Sequence, residues 1–200
     1  MGKVDISKME WVNKPTNAIV AKNKVIIETD PYTNMWSETY YHVSQNNPHA
    51  LVLPIEQDFT FKVRVDFKFN TKYDQAGMVI YANDDNWFKV GIEYKNKLIS
   101  YIFTTITYHG YSDLSTHETS SDLRYMYFRV SKQQEDFKVE GSFDGKHFKQ
   151  MRVFHLKNRT GKFKVGIYAC SPRNSSFDVT FSEMEMSDSV WKEHEWEDEK

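Results

Sequence analysis

One cysteine, five prolines and eight glycines in 200 residues set the first limits. A lone thiol, Cys170, closes no disulfide within the chain, which excludes a disulfide-stapled scaffold and points to a reducing compartment. Charge of either sign is not in excess: the formal net charge is −2, so there is no global pull toward nucleic acid or an anionic membrane. No apolar run is long enough to span a bilayer, and residues 1–11 lack the apolar core of a signal peptide. The expected location is the cytoplasm, with a mature secreted chain as the alternative. No Gly-x-Ser-x-Gly elbow, phosphate loop or dinucleotide fingerprint is present. Seven histidines are scattered without an HxH or HxxxH pair, so neither a metal nor a cofactor is expected.

What the chain does have is aromatic side chains, 16% of all residues, set in a polar background with a mean hydropathy of −0.67. A β-sandwich reconciles the two. Each strand shows one apolar side to the core and one polar side to water, and aromatic rings suit a pleated surface. Residues 59–69 are the clearest case: Phe59, Phe61, Val63, Val65, Phe67 and Phe69 alternate with polar or charged neighbours, and no helical period fits. The cations on the polar side, Lys62, Arg64 and Lys68, are interrupted by Asp66, so they read as a solvated face rather than a nucleic-acid stripe.

Residues 73–94 read as a hairpin. Residues 76–81 form one strand, and Ala82-Asn83-Asp84-Asp85-Asn86 is turn chemistry. In the return strand Phe88, Val90, Ile92 and Tyr94 face one way and Trp87, Lys89, Gly91 and Glu93 the other. Further strands are expected at residues 9–13, 25–29, 98–108, 125–131, 137–143, 147–155, 163–169 and 177–184, with a hairpin at Asp144-Gly145. Residues 33–43 place Trp36, Glu38, Tyr40 and His42 on one face at a two-residue period, and residues 115–121 read as a polar loop. The expected fold is all-β, an antiparallel two-sheet jelly-roll sandwich, with a closed barrel as the alternative. One domain covers residues 1–186. Residues 187–200 form an acidic tail, solvated or docked through Trp191.

The ordered set of motifs resembles a known family. It comprises Tyr73-Asp74-Gln75-Ala76-Gly77-Met78, Asn86-Trp87-Phe88-Lys89-Val90-Gly91-Ile92-Glu93-Tyr94, Gly110-Tyr111-Ser112-Asp113, Ser142-Phe143-Asp144-Gly145-Lys146-His147-Phe148 and Val165-Gly166-Ile167-Tyr168-Ala169-Cys170-Ser171-Pro172. Together with Asn34-Met35-Trp36 and Thr39-Tyr40-Tyr41 upstream, these resemble the signature of the domain of unknown function numbered 1349, over residues 11–184. His42, Leu114 and Phe148 depart from its pattern, where Gly, Trp and Trp are common. The resemblance implies a concanavalin A-like lectin/glucanase sandwich with one hollow sheet face. It also implies a link to sugar metabolism, a fungal member being described as a regulator of enolase. It carries no catalytic residues.

The candidate ligand-binding row is Trp87, Lys89 and Glu93 with Gln75, joined by Arg129 and Glu140 from later strands, and by Trp36 and Asp113. Aromatic faces match the C–H patches of sugar rings, while amides and charged groups match hydroxyls. The expected site is a shallow trough with Trp87 partly exposed. The expected function is non-catalytic binding of a saccharide or sugar conjugate. The alternatives are a protein-interaction module of sugar metabolism, using a protein partner, and a glycoside-active enzyme with paired carboxylates.

Overall fold

The computed structural model describes residues 1–158 and 161–191. From residue 192 onward the acidic stretch lies outside the described residues. The strands, in chain order, begin with β1 (Gly2–Lys3), β2 (Glu10–Val12), β3 (Asn17–Ala21), β4 (Lys24–Glu28), β5 (Met35–Ser37) and β6 (Ser44–Asn46). The middle of the chain supplies β7 (His49–Ile55), β8 (Phe59–Phe67), β9 (Gln75–Asn83), β10 (Asn86–Tyr94), β11 (Ile99–Tyr108) and β12 (Tyr111–Ser120). The last are β13 (Tyr125–Gln133), β14 (Asp136–Ser142), β15 (Lys149–His155), β16 (Phe163–Cys170) and β17 (Asp178–Ser187). A single 3-10 turn, Ile6–Lys8, is the helical content of the described residues, and no helix among them is long and apolar enough to cross a membrane.

The strands form two antiparallel sheets. The first runs β15-β14-β13-β8-β17-β4-β3, with β1 also paired to β17. The second runs β12-β11-β10-β9-β16-β7-β2. A third, small sheet is the pair β5–β6. The fold is therefore an all-β, two-sheet sandwich. Its core lies where alternation puts it: Phe59, Phe61, Val63 and Val65 of β8, Phe88, Val90 and Ile92 of β10, Val165 and Ile167 of β16 and Val179 and Phe181 of β17 form one buried cluster between the sheets. Each such side chain, fully buried, stabilises the fold by roughly 1.5–3 kcal/mol.

The sequence reading does not include strands β3, β6 and β7, and two stretches that it does include fold differently. Residues 33–43 are not one alternating strand. β5 ends at Ser37, and Glu38, Tyr40 and His42 take left-handed backbone angles (φ 53°, 67° and 52°) that coil the tip into a tight loop. Residues 111–120 are a strand rather than a loop, polar on both sides because β12 is an edge with most of its side chains in water.

A second apolar cluster lies on the other face of the second sheet. Met35, Ala50, Val52, Val79, Tyr81, Trp87, Phe103, Tyr168 and Cys170 pack there beneath residues 30–48. That segment is pinned at several points. His49 donates through Nδ1 to Asn13 O and accepts the Asp30 N–H on Nε2. Thr33 and Ser171 exchange two hydrogen bonds, and Ser37 bonds both Ser112 and Gly110. Tyr81 donates to Asn46.

The outer face of the first sheet is charged and internally paired. Lys62 meets Glu185 at 2.9 Å, Arg64 holds Asp66 with two bonds, and Arg129 Nε donates to Glu140 at 2.7 Å. The chain after β17 crosses this face: Val190 N donates to Thr60 Oγ1, Gln133 donates to Trp191 O, and Lys138 lies over the Trp191 ring.

Candidate functional site

A cavity of about 410 Å³ opens between the outer face of the second sheet and the loop that follows β5. That is within the roughly 300–1,000 Å³ of ordinary small-ligand sites. The sheet contributes Gln75 from β9, Lys89 and Glu93 from β10, Phe103 and Thr105 from β11, and Leu114 from β12. Trp36, Tyr41 and Val43 form the overhanging wall, and Tyr73, Pro172 and Arg173 close one end.

Strand register explains the grouping. Gln75 lies directly opposite Glu93, Val79 and Thr105 flank Lys89, and Gly77 faces Gly91. The two glycines clear the floor between the polar residues. A Cβ at Gly91 would sit 2.2 Å from Ala76 O, and one at Gly77 would sit 1.9 Å from Val90 O. Backbone approaches backbone there, and only hydrogen fits.

The polar floor is one connected chain. Lys89 Nζ donates to Gln75 Oε1 at 2.7 Å, Tyr168 OH donates to the same oxygen at 3.3 Å, and Gln75 Nε2 donates to Glu93 Oε2 at 3.2 Å. The rings of Phe103, Tyr168 and Trp87 stand 5.3, 5.8 and 6.0 Å from Nζ. Thr105 Oγ1 is buried and has no hydrogen-bond partner. Burial holds the Lys89 ammonium pKa below its ordinary value, with Cys170 and Glu93 opposing the shift. Burial also raises the Glu93 carboxyl from 4.5 to about 7, against the pull of Lys89, Lys95 and Lys72. Cys170 is pushed up to about 12 by burial, which leaves its thiol inert at neutral pH.

The Glu93 shift has a consequence for stability. Its folded pKa lies above its unfolded one, so the folded state binds the proton more tightly between pH 4.5 and about 7. Stability therefore falls as pH rises through that window and stays lower above it. Glu93→Gln removes the effect. The variant should be more stable than the parent at pH 8, by on the order of 1–3 kcal/mol, with a correspondingly higher melting temperature, and equally stable near pH 4. Parallel melting curves across pH would show that the carboxyl is not desolvated.

The expected binding residues separate into groups. Trp36, Gln75, Lys89 and Glu93 line the cavity together. Trp87 faces the same side, as alternation requires, but it is only 1% exposed, so the expected open indole is instead part of the packing beneath the cavity. Arg129 and Glu140 bond each other on the first sheet, because β13 pairs with β8 and β14, and neither β13 nor β14 pairs with β10. Asp113 points to the other side of β12 from Leu114 and meets Arg152 at 3.3 Å. The sequence reading did not include Tyr41, Tyr73, Phe103, Thr105 or Arg173. The signal for two of them was available: Phe103 and Thr105 share a period-2 face with Thr107 on β11. Tyr73 and Arg173 sit on connections, whose placement no periodicity encodes. Among the described residues no three His, Cys, Asp or Glu side chains converge in a way that could hold a metal ion.

The architecture and its one hollowed face define a two-sheet β-sandwich protein with a ligand-sized cavity outside one sheet. Residues 11–189 match the family described as protein of unknown function (DUF1349), and the chain belongs to that family. It is 31% identical over 185 residues to the Saccharomyces cerevisiae protein named Regulation of enolase protein 1, covering 92% of this chain and 91% of that one. A crystal structure of a functionally unknown protein from Saccharomyces cerevisiae superposes with a TM-score of 0.87 at 30% identity, over 94% of this chain and 100% of that one. The carbohydrate binding module CBM66 from Bacillus subtilis shares the fold, with a TM-score of 0.57 at 11% identity, over 90% of this chain and 95% of the module.

Proposed function

We propose that the protein binds a small saccharide or sugar conjugate in the cavity between the second sheet and the β5 loop, without transforming it. One observation carries this reading. Four aromatic walls (Trp36, Tyr41, Tyr73 and Phe103) meet a polar floor of Gln75, Lys89 and Glu93 in a single hollow. Rings supply flat apolar contact, and the floor and the unpartnered Thr105 hydroxyl supply hydrogen bonds to a ring's substituents. Among the described residues one carboxylate, Glu93, lines the hollow, where glycoside hydrolysis uses two. The site proposed is thus Trp36, Gln75, Lys89 and Glu93, with Tyr41, Tyr73, Phe103 and Arg173. The lone buried thiol of Cys170 fits a cytoplasmic setting.

Thermal-shift and calorimetric titration with mono- and oligosaccharides test it. Trp36→Ala should leave the fold intact, since that indole is on the small strand β5 and outside both apolar clusters, and weaken a measured sugar affinity about tenfold, equivalent to about 1.4 kcal/mol. If no sugar at millimolar concentration raises the melting temperature, the reading is wrong.

A second reading is supported by a different observation. Tyr40, Tyr41, Val43 and Leu114 are exposed together around the cavity mouth, and aromatic residues of this kind anchor protein interfaces. A regulatory partner docked over that mouth accords with the name of the yeast relative. Its signature would be a protein complex weakened by Tyr40→Ala and indifferent to sugars.

A further inference from the structure

Two lysines among the described residues are almost fully buried, and they are treated differently. Lys132 is 3% exposed and has its counter-ion: Asp58 Oδ1 lies 2.9 Å from Nζ. Lys89 is also 3% exposed, but among the described residues no carboxylate lies within ion-pairing distance of it. Its hydrogen bond goes to the uncharged Gln75 amide oxygen. Three ring faces at 5.3–6.0 Å attract a cation by about 0.5–2 kcal/mol, less than the several kcal/mol it costs to desolvate an unpaired ammonium. A structural lysine would be paired as Lys132 is. An unpaired one in the wall of a ligand-sized cavity is the arrangement in which lysine serves as a nucleophile.

We infer that Lys89 captures the carbonyl group of a small aldehyde, such as the open-chain form of an aldose, as a reversible imine in this cavity. The inference rests on the cavity being a ligand site, as proposed above. Burial, which depresses the ammonium pKa, favours the neutral amine. In the reaction the Nζ lone pair forms a C–N bond to the carbonyl carbon, and the carbonyl oxygen takes up a proton. The nitrogen gives up a proton, the hydroxyl accepts one and leaves as water as the C=N bond closes, and the iminium nitrogen so formed releases its second proton. Amine and aldehyde become imine and water, with no oxidant or reductant. Glu93 lines the same cavity across the Gln75 amide and is protonated up to about pH 7, so it is the acid for the departing hydroxyl and recovers the proton that nitrogen sheds.

The test is reductive trapping on the full chain. Glycolaldehyde or glyceraldehyde is added with sodium cyanoborohydride at pH 7, and the modified lysines are mapped by mass spectrometry over time. The expected result is that Lys89 is alkylated at least about tenfold faster than exposed lysines such as Lys164, despite its burial. Glu93→Gln should slow the Lys89 adduct about fivefold or more, without moving the site of labelling. Labelling of surface lysines with Lys89 untouched overturns the inference. The mapping is done on the unaltered protein, so the outcome does not depend on whether a Lys89 variant folds. A parallel thermal-shift arm with glucose and with 1,5-anhydroglucitol, which has no carbonyl, separates the two claims. Stabilisation by both sugars with no trapping at Lys89 leaves the saccharide reading standing and removes the imine. Stabilisation by neither, with no trapping, removes both.

Discussion

Trp87→Ala should destabilise the protein by about 3–5 kcal/mol and lower its melting temperature by roughly 6–20 °C. The indole is among the largest fully buried side chains, packed with Met35, Tyr81, Phe103, Tyr168 and Cys170. Removing it leaves a void between the sheet and residues 30–48, a segment tied down by hydrogen bonds at Asp30, Ser37 and Asn46. The overhanging wall of the cavity should loosen with it, so any ligand affinity would fall as a secondary effect. Urea or thermal unfolding measured by circular dichroism decides the matter. A variant within about 1 kcal/mol of the parent would show the indole to be a surface platform, as the sequence alone suggests.

Gly91→Ala should be at least as damaging, and for a different reason. The added methyl would lie 2.2 Å from Ala76 O and 2.9 Å from the same carbonyl carbon. Those atoms belong to β9 in the middle of the sheet, so no side chain can rotate away, and β9 and β10 must separate. We expect a loss of roughly 3 kcal/mol or more, with poor soluble yield. Gly2→Ala is the control. Its methyl would meet nothing nearer than 3.9 Å, and stability should stay within about 0.5 kcal/mol. Equal melting temperatures for Gly91→Ala and the parent would mean that the strands are not pressed together at the cavity floor.

The fold was legible wherever polar and apolar side chains alternate along a strand. β8 and β10 have their core faces where alternation puts them, and the polar turn between β9 and β10 falls where Asn83, Asp84 and Asp85 predict it. Alternation assigns a side chain to a face; it does not say what lies on that face. Trp87 was assigned to the correct side, yet the layer that covers it, residues 30–48, comes from a distant part of the chain. A clue was present in β9, where Val79 and Tyr81 are apolar on the supposedly wet side, the mark of a strand covered on both faces. β7 escaped for the same reason. His49–Ile55 is a continuous apolar run with no period, and Ala50 and Val52 pack outward under the loop while Leu51 packs inward. Arg129 and Glu140 illustrate a second limit. Their charges are evident in the sequence, but which sheet β13 and β14 join is set by pairing with β8, which no local pattern encodes.

The position of β17 bears on how the molecule is made. It lies between β8 and β4 and also receives β1, so three segments from the first third of the chain each have one edge whose neighbour is made only with residues 178–187. On the ribosome, β4 and β8 emerge with unpaired edges and apolar faces, and they wait for nearly all the remaining synthesis before the sheet can close. Folding should therefore be slow and essentially post-translational, and the nascent chain should lean on chaperones during that interval.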